Sequence, residues 1–319
     1  MSCSFEDSEQ VVMGRLAGVS AVSSWVPSRV VVSAWLEHAH FASWVMSAVR
    51  PLVFVELGTH NGFSFFTMCE AAARLGIETH AYAVDTWRGD DHAGFYDDSI
   101  FVDVSQYSKA HFAETSTLLR GYFDDFVESF TDGSIDLLHI DGRHGYDDVR
   151  HDFEAWLPKL SRSGVVLFHD ISEREDGFGV WKFWAEVKQQ YSSFEFEHGH
   201  GLGVLAVGPE PASAVKDLIA IDGIDAANVR DFYASMGQLT LATFDRELRD
   251  VRNKNEIANL TSALDASNGL ITEMASSYSW KLTKPLRRCV SLLSTAQRSR
   301  IRKMLRRGDA PVSVKEPSQ

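Results

Sequence analysis

The chain has 319 residues, 45% hydrophobic and 24% charged, which is ordinary for a soluble enzyme and leaves enough apolar material for one large core plus an appendage. No apolar run is long enough to cross a bilayer, and the three widely spaced cysteines, Cys3, Cys69 and Cys289, outline neither a disulfide framework nor a zinc cluster. The net charge of −13 is unevenly carried: from Lys281 to Arg307 every charged residue is basic, so the rest is strongly acidic, which argues against a core that grips nucleic acid by its phosphates.

In chain order, the N-terminal stretch carries Glu6, Asp7 and Glu9 and no basic run before an apolar one, so a cytoplasmic protein is expected. Residues 33–49 space Trp35, His38, Phe41, Trp44 and Val45 by three and four. That spacing predicts an amphipathic helix ending before Pro51, and residues 1–50 read as a helical lid or cap. Strand and helix then alternate. Residues 53–57 form a buried strand, 58–62 a glycine turn, 64–75 a helix closed by Gly76, and 81–85 a second strand. Residues 135–141 form another strand, 146–157 a helix, 165–169 a strand after Gly164, and 180–191 a helix. Residues 194–196 and 202–207 flank a His-Gly-His-Gly turn as an antiparallel hairpin. Strands apolar throughout and alternating with helices predict a Rossmann-like α/β fold, a mostly parallel sheet covered on both faces. A terminal hairpin on such a sheet is the ending expected of a class I methyltransferase.

Pro209 and Pro211 close this domain, which spans residues 51–208. Residues 209–275 read as a helical extension in which Ile257, Leu260, Leu264, Ile271 and Met274 follow a partial heptad, the pattern of a short coiled coil. Residues 276–319 form a basic tail whose last ten or so positions read as disordered. Leu286, Val290, Leu293, Ile301 and Leu305 lie among its Arg and Lys residues, which suits peripheral docking on an anionic membrane. The simpler reading is a solvated cationic helix that pairs with the acidic body or with a partner.

Three constellations can carry chemistry. The turn Glu56-Leu57-Gly58-Thr59-His60-Asn61-Gly62 lets backbone approach a ligand closely and offers helix N–H groups. It lacks the dinucleotide spacing and places an acid two residues before the first glycine; Glu56 would repel a pyrophosphate and welcome an ammonium or sulfonium. Asp85 ends the second strand, where a carboxylate can accept both ribose hydroxyls of an adenosyl ligand, with Trp87 and Arg88 bordering the adenine. Asp141-Gly142-Arg143-His144-Gly145-Tyr146 and His169-Asp170 lie at further strand ends. There Asp141, His169 and Asp170 could ligate magnesium or manganese, and His144 could take a proton from a substrate hydroxyl. Each constellation also has a bland reading as turn or helix capping. Trp35, His38 and His40 sit where a lid would lie, although aromatics at helical spacing more often pack in a core. His198 and His200 flank the hairpin turn without an expected chemical role, and Trp181 and Trp184 read as helix packing.

Taken together over residues 33–208, these motifs resemble the metal-dependent sugar O-methyltransferases of the macrocin O-methyltransferase-like group (the methyltransferase 24 family). The resemblance rests on Val55-Glu56-Leu57-Gly58, Val84-Asp85-Thr86-Trp87-Arg88-Gly89-Asp90, His139-Ile140-Asp141-Gly142-Arg143-His144-Gly145-Tyr146, Asp152, Trp156, Phe168-His169-Asp170, Phe178-Gly179-Val180-Trp181 and Gly201-Leu202-Gly203-Val204. It implies S-adenosylmethionine (SAM) as cofactor, cradled by Glu56, Gly58, Thr59, Asn61, Gly62, Ser64, Asp85, Thr86 and Trp87. It also implies Mg2+ on Asp141 and Asp170, with His169 standing where the family usually has an acid, and a catalytic role for His144 with Asp141. The implied acceptor is a sugar hydroxyl; a homo-oligomer is expected besides. Residues 279–287 resemble a stretch recurring in bacterial surface-polysaccharide proteins, which points to O-antigen, capsule or a related glycan, or to a glycosylated metabolite. A hydroxylase-type enzyme on the same scaffold and a non-catalytic SAM-binding scaffold protein are the alternatives.

Overall fold

The computed structural model describes residues 16–90, 94–175 and 177–306. Cys3, the N-terminal acids, Arg307 and the tail positions expected to be disordered lie outside them. The chain divides into two compact units, Met1–Glu247 and Leu248–Gln319.

In the first unit, the helix α1 (Ala39–Val49) leads into β1 (Val53–Leu57), α2 (Phe63–Leu75) and β2 (His80–Asp85). A two-stranded ribbon, β3 (Gly89–Asp90) with β4 (Gly94–Phe95), precedes α3 (Ser99–His111) and β5 (Ser116–Arg120). Then come β6 (Ile135–Ile140), α4 (Tyr146–Trp156), β7 (Leu160–His169), α5 (Val180–Val187), β8 (Ser192–Phe196), β9 (Leu202–Ala206) and α6 (Ser213–Ala220). The seven-stranded sheet has the order β5-β2-β1-β6-β7-β9-β8. From β5 to β7 all neighbours are parallel; β9 runs antiparallel to both β7 and β8. This is the Rossmann-like sheet with a terminal hairpin that the sequence predicts.

Two apolar layers cover the sheet, as strands without polar alternation require. On one face Phe54, Ala83, Leu137 and Leu167 meet α1, α2, Val104 of α3 and Val215 and Leu218 of α6. On the other, Val55, Leu138, Val166 and Phe168 meet Phe153 and Trp156 of α4 and Phe183 and Trp184 of α5.

Two expectations need correction. The helix predicted over residues 33–49 begins at Ala39, after a short 3-10 turn at Leu36–His38. It is also not amphipathic: Ala39 through Met46 are all buried. The reason is packing on several sides at once, against α2, α6 and the sheet. The strand predicted to start at Val165 begins at Leu160, because β6 and β7 shift register between Ile135 and Leu137 and accommodate the extra residues around Gly164. As for the two tryptophans of α5, Trp184 packs in the core while Trp181 is half-buried with the Arg174 guanidinium over its ring.

The helix α7 runs over Gly223–Ser276, a single element where the sequence suggests several polar stretches. Its Ala226, Val229 and Tyr233 belong to the core of the first unit. In the second unit Ile257, Leu260, Leu264, Ile271 and Met274 are exposed, followed by α8 (Tyr278–Leu282), α9 (Lys284–Ser291) and α10 (Thr295–Arg306). No helix among the described residues is long and apolar enough to cross a membrane.

Candidate active site

From β1 the chain moves to β2 and β5 on one side, then returns to β6 on the other. Open α/β sheets bind ligands at the C-terminal edge of such a switch point. Here Gly58 follows β1 and Asp141 follows β6, side by side. Gly58 N donates to Val84 O at 2.9 Å and Asp141 N to Leu57 O at 2.8 Å. Gly58 has φ +88°, and a Cβ on it would lie 2.0 Å from the Asp141 carbonyl oxygen, so glycine is required on both counts. The C-terminal edge opens into a cleft of about 660 Å³ lined by Gly58, Asp85, Thr86, Asp141 and His144 among others, a volume in the usual range of small-molecule sites.

Asp85 holds the turn. Its Oδ2 accepts N–H bonds from Thr59 and His60, both at 2.8 Å, and its Oδ1 accepts from Trp87 N at 2.6 Å. A carboxylate has about four acceptor directions, so this count leaves about one for a ribose hydroxyl. Trp87, expected to border an adenine, is instead fully buried. Its backbone is left-handed (φ 49°), its indole N–H donates to His60 O at 3.0 Å, and its ring packs on Phe101. Asn61 ties the turn to the N-terminal segment by donating to Val32 O at 2.9 Å. Gly62 starts α2 in the left-handed conformation (φ 77°).

Around Asp141 the structure gathers the third constellation. His144 Nε2 lies 2.8 Å from Asp170 Oδ2, and the His144 ring stacks on Phe178. His169 Nδ1 lies 3.1 Å from Asp141 Oδ1 and 3.3 Å from Asp170 Oδ1. Burial opposes a charge on His169, but the two carboxylates outweigh it and hold the imidazole well above its ordinary range. Burial likewise works against charged Asp141 and Asp170, and His169 reverses the balance, so both carboxyls stay below the usual carboxylate range. Of the expected ligand set, His169 is therefore engaged as a donor to both acids. The donor atoms that converge are those of Asp141, His144 and Asp170, all within 4.8 Å of one another. Two carboxylates and one imidazole fit a divalent cation, and the nitrogen makes the set softer than the all-oxygen cages magnesium prefers.

Glu56 is placed differently from expectation. It is fully buried, and His139 Nδ1 lies 2.8 Å from its Oε2. Burial raises its carboxyl above the ordinary range, against the opposing pull of His139 and Ser64. Glu56 is not among the residues lining the cleft; its second oxygen, Oε1, is buried as well.

Sequence reasoning missed His139, the counter-group of Glu56, and the cleft contributions of His60, Tyr96, Tyr122 and Phe123. His60 was visible inside the glycine turn, and its left-handed backbone (φ 47°) aims it at Tyr96, ring centroids 5.2 Å apart. Tyr122 and Phe123 follow the unrecognised strand β5.

Residues 55–171 match the family model described as a methyltransferase domain. The stretch contains Glu56, the glycine turn, Asp85, Asp141, His144, His169 and Asp170. The chain is 49% identical over 186 residues to the uncharacterized protein y4gI of Sinorhizobium fredii; the match covers 58% of this chain and 20% of that relative. The chain thus spans about one fifth of the length of the relative it matches. Among solved structures it is similar to the O-methyltransferase TomG of Streptomyces achromogenes, in complex with SAM, at 15% identity, 57% of this chain, 83% of that chain and a TM-score of 0.42. It is also similar to the SAH-bound methyltransferase PaMTH1 of Podospora anserina at 12% identity, 53% of this chain, 77% of that chain and a TM-score of 0.41.

Proposed function

We propose that the protein is a SAM-dependent O-methyltransferase whose acceptor is a sugar hydroxyl of a bacterial surface glycan or a glycosylated metabolite. The observation that carries this reading is that one cleft joins the Gly58 turn and Asp85 to Asp141 and His144 at the switch point of the sheet, inside the stretch that matches a methyltransferase domain.

SAM, when bound, supplies a methyl group already activated on its sulfonium. What remains for the protein is alignment and proton handling. Gly58 allows the backbone to approach the cofactor, and the Asp85 carboxylate has about one acceptor direction left for a ribose hydroxyl. The His144–Asp170 pair takes the proton from the acceptor hydroxyl as its oxygen attacks, on the Nε2 side, since His144 Nδ1 is buried. Asp170, 2.8 Å from His144 Nε2, fixes the imidazole and stabilises the charge it gains. A divalent cation held by Asp141, His144 and Asp170 would supply Lewis-acid polarisation of the acceptor oxygen and would occupy the imidazole otherwise used as base, so His144 serves either as ligand or as base. The exposed rings of Phe95 and Tyr122 at the cleft, among Arg88, Arg143 and Asp147, give flat apolar faces beside polar groups, which suits a sugar ring. Cytoplasmic location and homo-oligomerisation belong to the same reading.

The test is calorimetric titration of SAM into the full chain, with and without Mg2+ or Mn2+, beside Asp85→Ala. Micromolar binding that the variant loses supports the cofactor assignment; no binding under any metal condition, or binding of a nicotinamide nucleotide in its place, sinks it. Methyl transfer to a sugar panel then tests the acceptor.

A further inference from the structure

The second unit presents an unusual surface. Across α8 and α9, Tyr278, Leu282, Leu286 and Val290 recur every fourth residue and are 91%, 83%, 67% and 40% exposed. Residues four apart share a helix face, so within each helix these side chains fall on one side. Every charged residue from Lys281 to Arg306 is basic. On α9 the cations Lys284, Arg287 and Arg288 fall between the apolar positions. On α10 the apolar Ile301 and Met304 sit among Arg298, Arg300, Arg302 and Lys303, with Met304 78% exposed. The α8–α9 junction is pinned: the Arg287 guanidinium stands 3.7 Å from the Trp280 ring centroid and also donates to Trp280 O and Thr283 Oγ1.

Charge of one sign and exposed hydrocarbon must be satisfied together by whatever covers this surface. A nucleic acid or an acidic protein face would neutralise the cations and leave the apolar side chains in water. An apolar protein groove would bury the stripe and strand the cations. A bilayer interface with anionic headgroups offers both, with acyl chains about 5–10 Å beneath the charges. The partly exposed Trp280 is the residue type that favours that depth. We infer that residues 277–306 dock on an anionic phospholipid surface, with the apolar stripe inserted and the Arg and Lys side chains among the headgroups. For a glycan-modifying enzyme, this would hold the chain on a surface where acceptors can be carried on lipid.

The experiment is sedimentation of the full chain with phosphatidylcholine vesicles, with and without phosphatidylglycerol, at low and high salt. Binding only to the phosphatidylglycerol vesicles, weakened by salt, is expected. Arg287→Glu/Arg288→Glu should weaken it roughly 30-fold or more, at about 1 kcal/mol per cation removed. Leu286→Gln, which adds no charge, should weaken it as well while leaving affinity for heparin, a soluble polyanion, unchanged. Circular dichroism and SAM titration of each variant confirm that the chain is intact, and vesicle binding is read independently of the methyltransferase assignment. The inference is overturned if the chain ignores phosphatidylglycerol at low salt. It is equally overturned if Leu286→Gln binds vesicles as well as the parent, which would leave a plain polyanion site. A dimer in light scattering that fails to bind vesicles would show that a second copy covers the stripe.

Discussion

Asp152 stands on α4 with 7% of its surface exposed, its carboxyl against the cleft and close to Gly142. Burial pushes its pKa from 3.8 up to about 7; His151 opposes the shift, while Asp148 and Asp124 add to it. Because the folded value lies above the unfolded one, the folded chain keeps a proton that the unfolded chain has already lost. The stabilisation is fully present below about pH 4 and disappears as pH rises through about 7. At about 1.36 kcal/mol per pH unit, the gap from 3.8 to about 7 caps the effect at about 4 kcal/mol. Relaxation and water entry around a cleft residue reduce it, so a value of about 2–3 kcal/mol is expected. Asp152→Asn mimics the protonated acid at every pH. Urea unfolding at pH 8 should find the variant more stable than the parent by that amount, and the difference should shrink to about 1 kcal/mol at pH 4.5. A variant no more stable than the parent at pH 8, or more stable by the same margin at both pH values, would refute the burial argument.

Two further outcomes follow from the hydrogen-bond geometry. Asp85→Asn replaces one oxygen of an acceptor of three backbone N–H groups with an NH2 that must face at least one of them. Charged hydrogen bonds contribute about 1.5–3 kcal/mol each, so thermal unfolding should show a loss of about 2–4 kcal/mol together with loss of SAM binding; unchanged stability would mean that the turn does not depend on the carboxylate. The Glu56–His139 pair is wholly buried, so His139→Leu should cost about 3–5 kcal/mol by stranding the acid. Adding Glu56→Gln should recover part of it, and strict additivity in the double-mutant cycle would show that the two side chains do not interact.

The parts of the fold legible in the sequence are those with one structural meaning. β1, β6 and the second half of β7 are apolar almost without interruption because both faces of the sheet are covered, and Gly58 and Gly76 mark the turns where a left-handed backbone is needed. α3 and β5 escaped notice for the converse reason. α3 buries only Val104 and Ser108, and β5 is an edge strand that is mostly half-buried, so neither carries a strong period. At the site, strand ends identified Asp85, Asp141 and Asp170, since every parallel strand delivers its C-terminal residue to the same edge. Side-chain direction was not legible. Trp87 turns inward because its own backbone is left-handed, and Glu56 meets His139 only once β1 and β6 pair in the register Glu56↔His139.

That register also explains the electrostatics around the cleft. Glu56 and His139 are neighbours on one face of the sheet, and His169, two residues beyond Leu167 on β7, points to the same face. On the opposite face the matching positions are Leu57, Ile140 and Phe168, all apolar. The polar face is roofed by Trp35, whose ring lies 5.2 Å from His139 and 5.4 Å from His38. Such a cluster can hold a positive charge only where acids compensate it, and Asp141 and Asp170 do so for His169. Among the described residues no acid does this for His38: burial, then the proximity of His169 and His198, pushes it well below the ordinary imidazole range. A neutral His38 donates through Nε2 to Gly199 O at 2.8 Å, tying the 3-10 turn before α1 to the turn of the terminal hairpin. The charge on His169 and the neutrality of His38 are thus two consequences of one arrangement, and the N-terminal segment is fastened over the sheet by the imidazole that cannot afford to ionise.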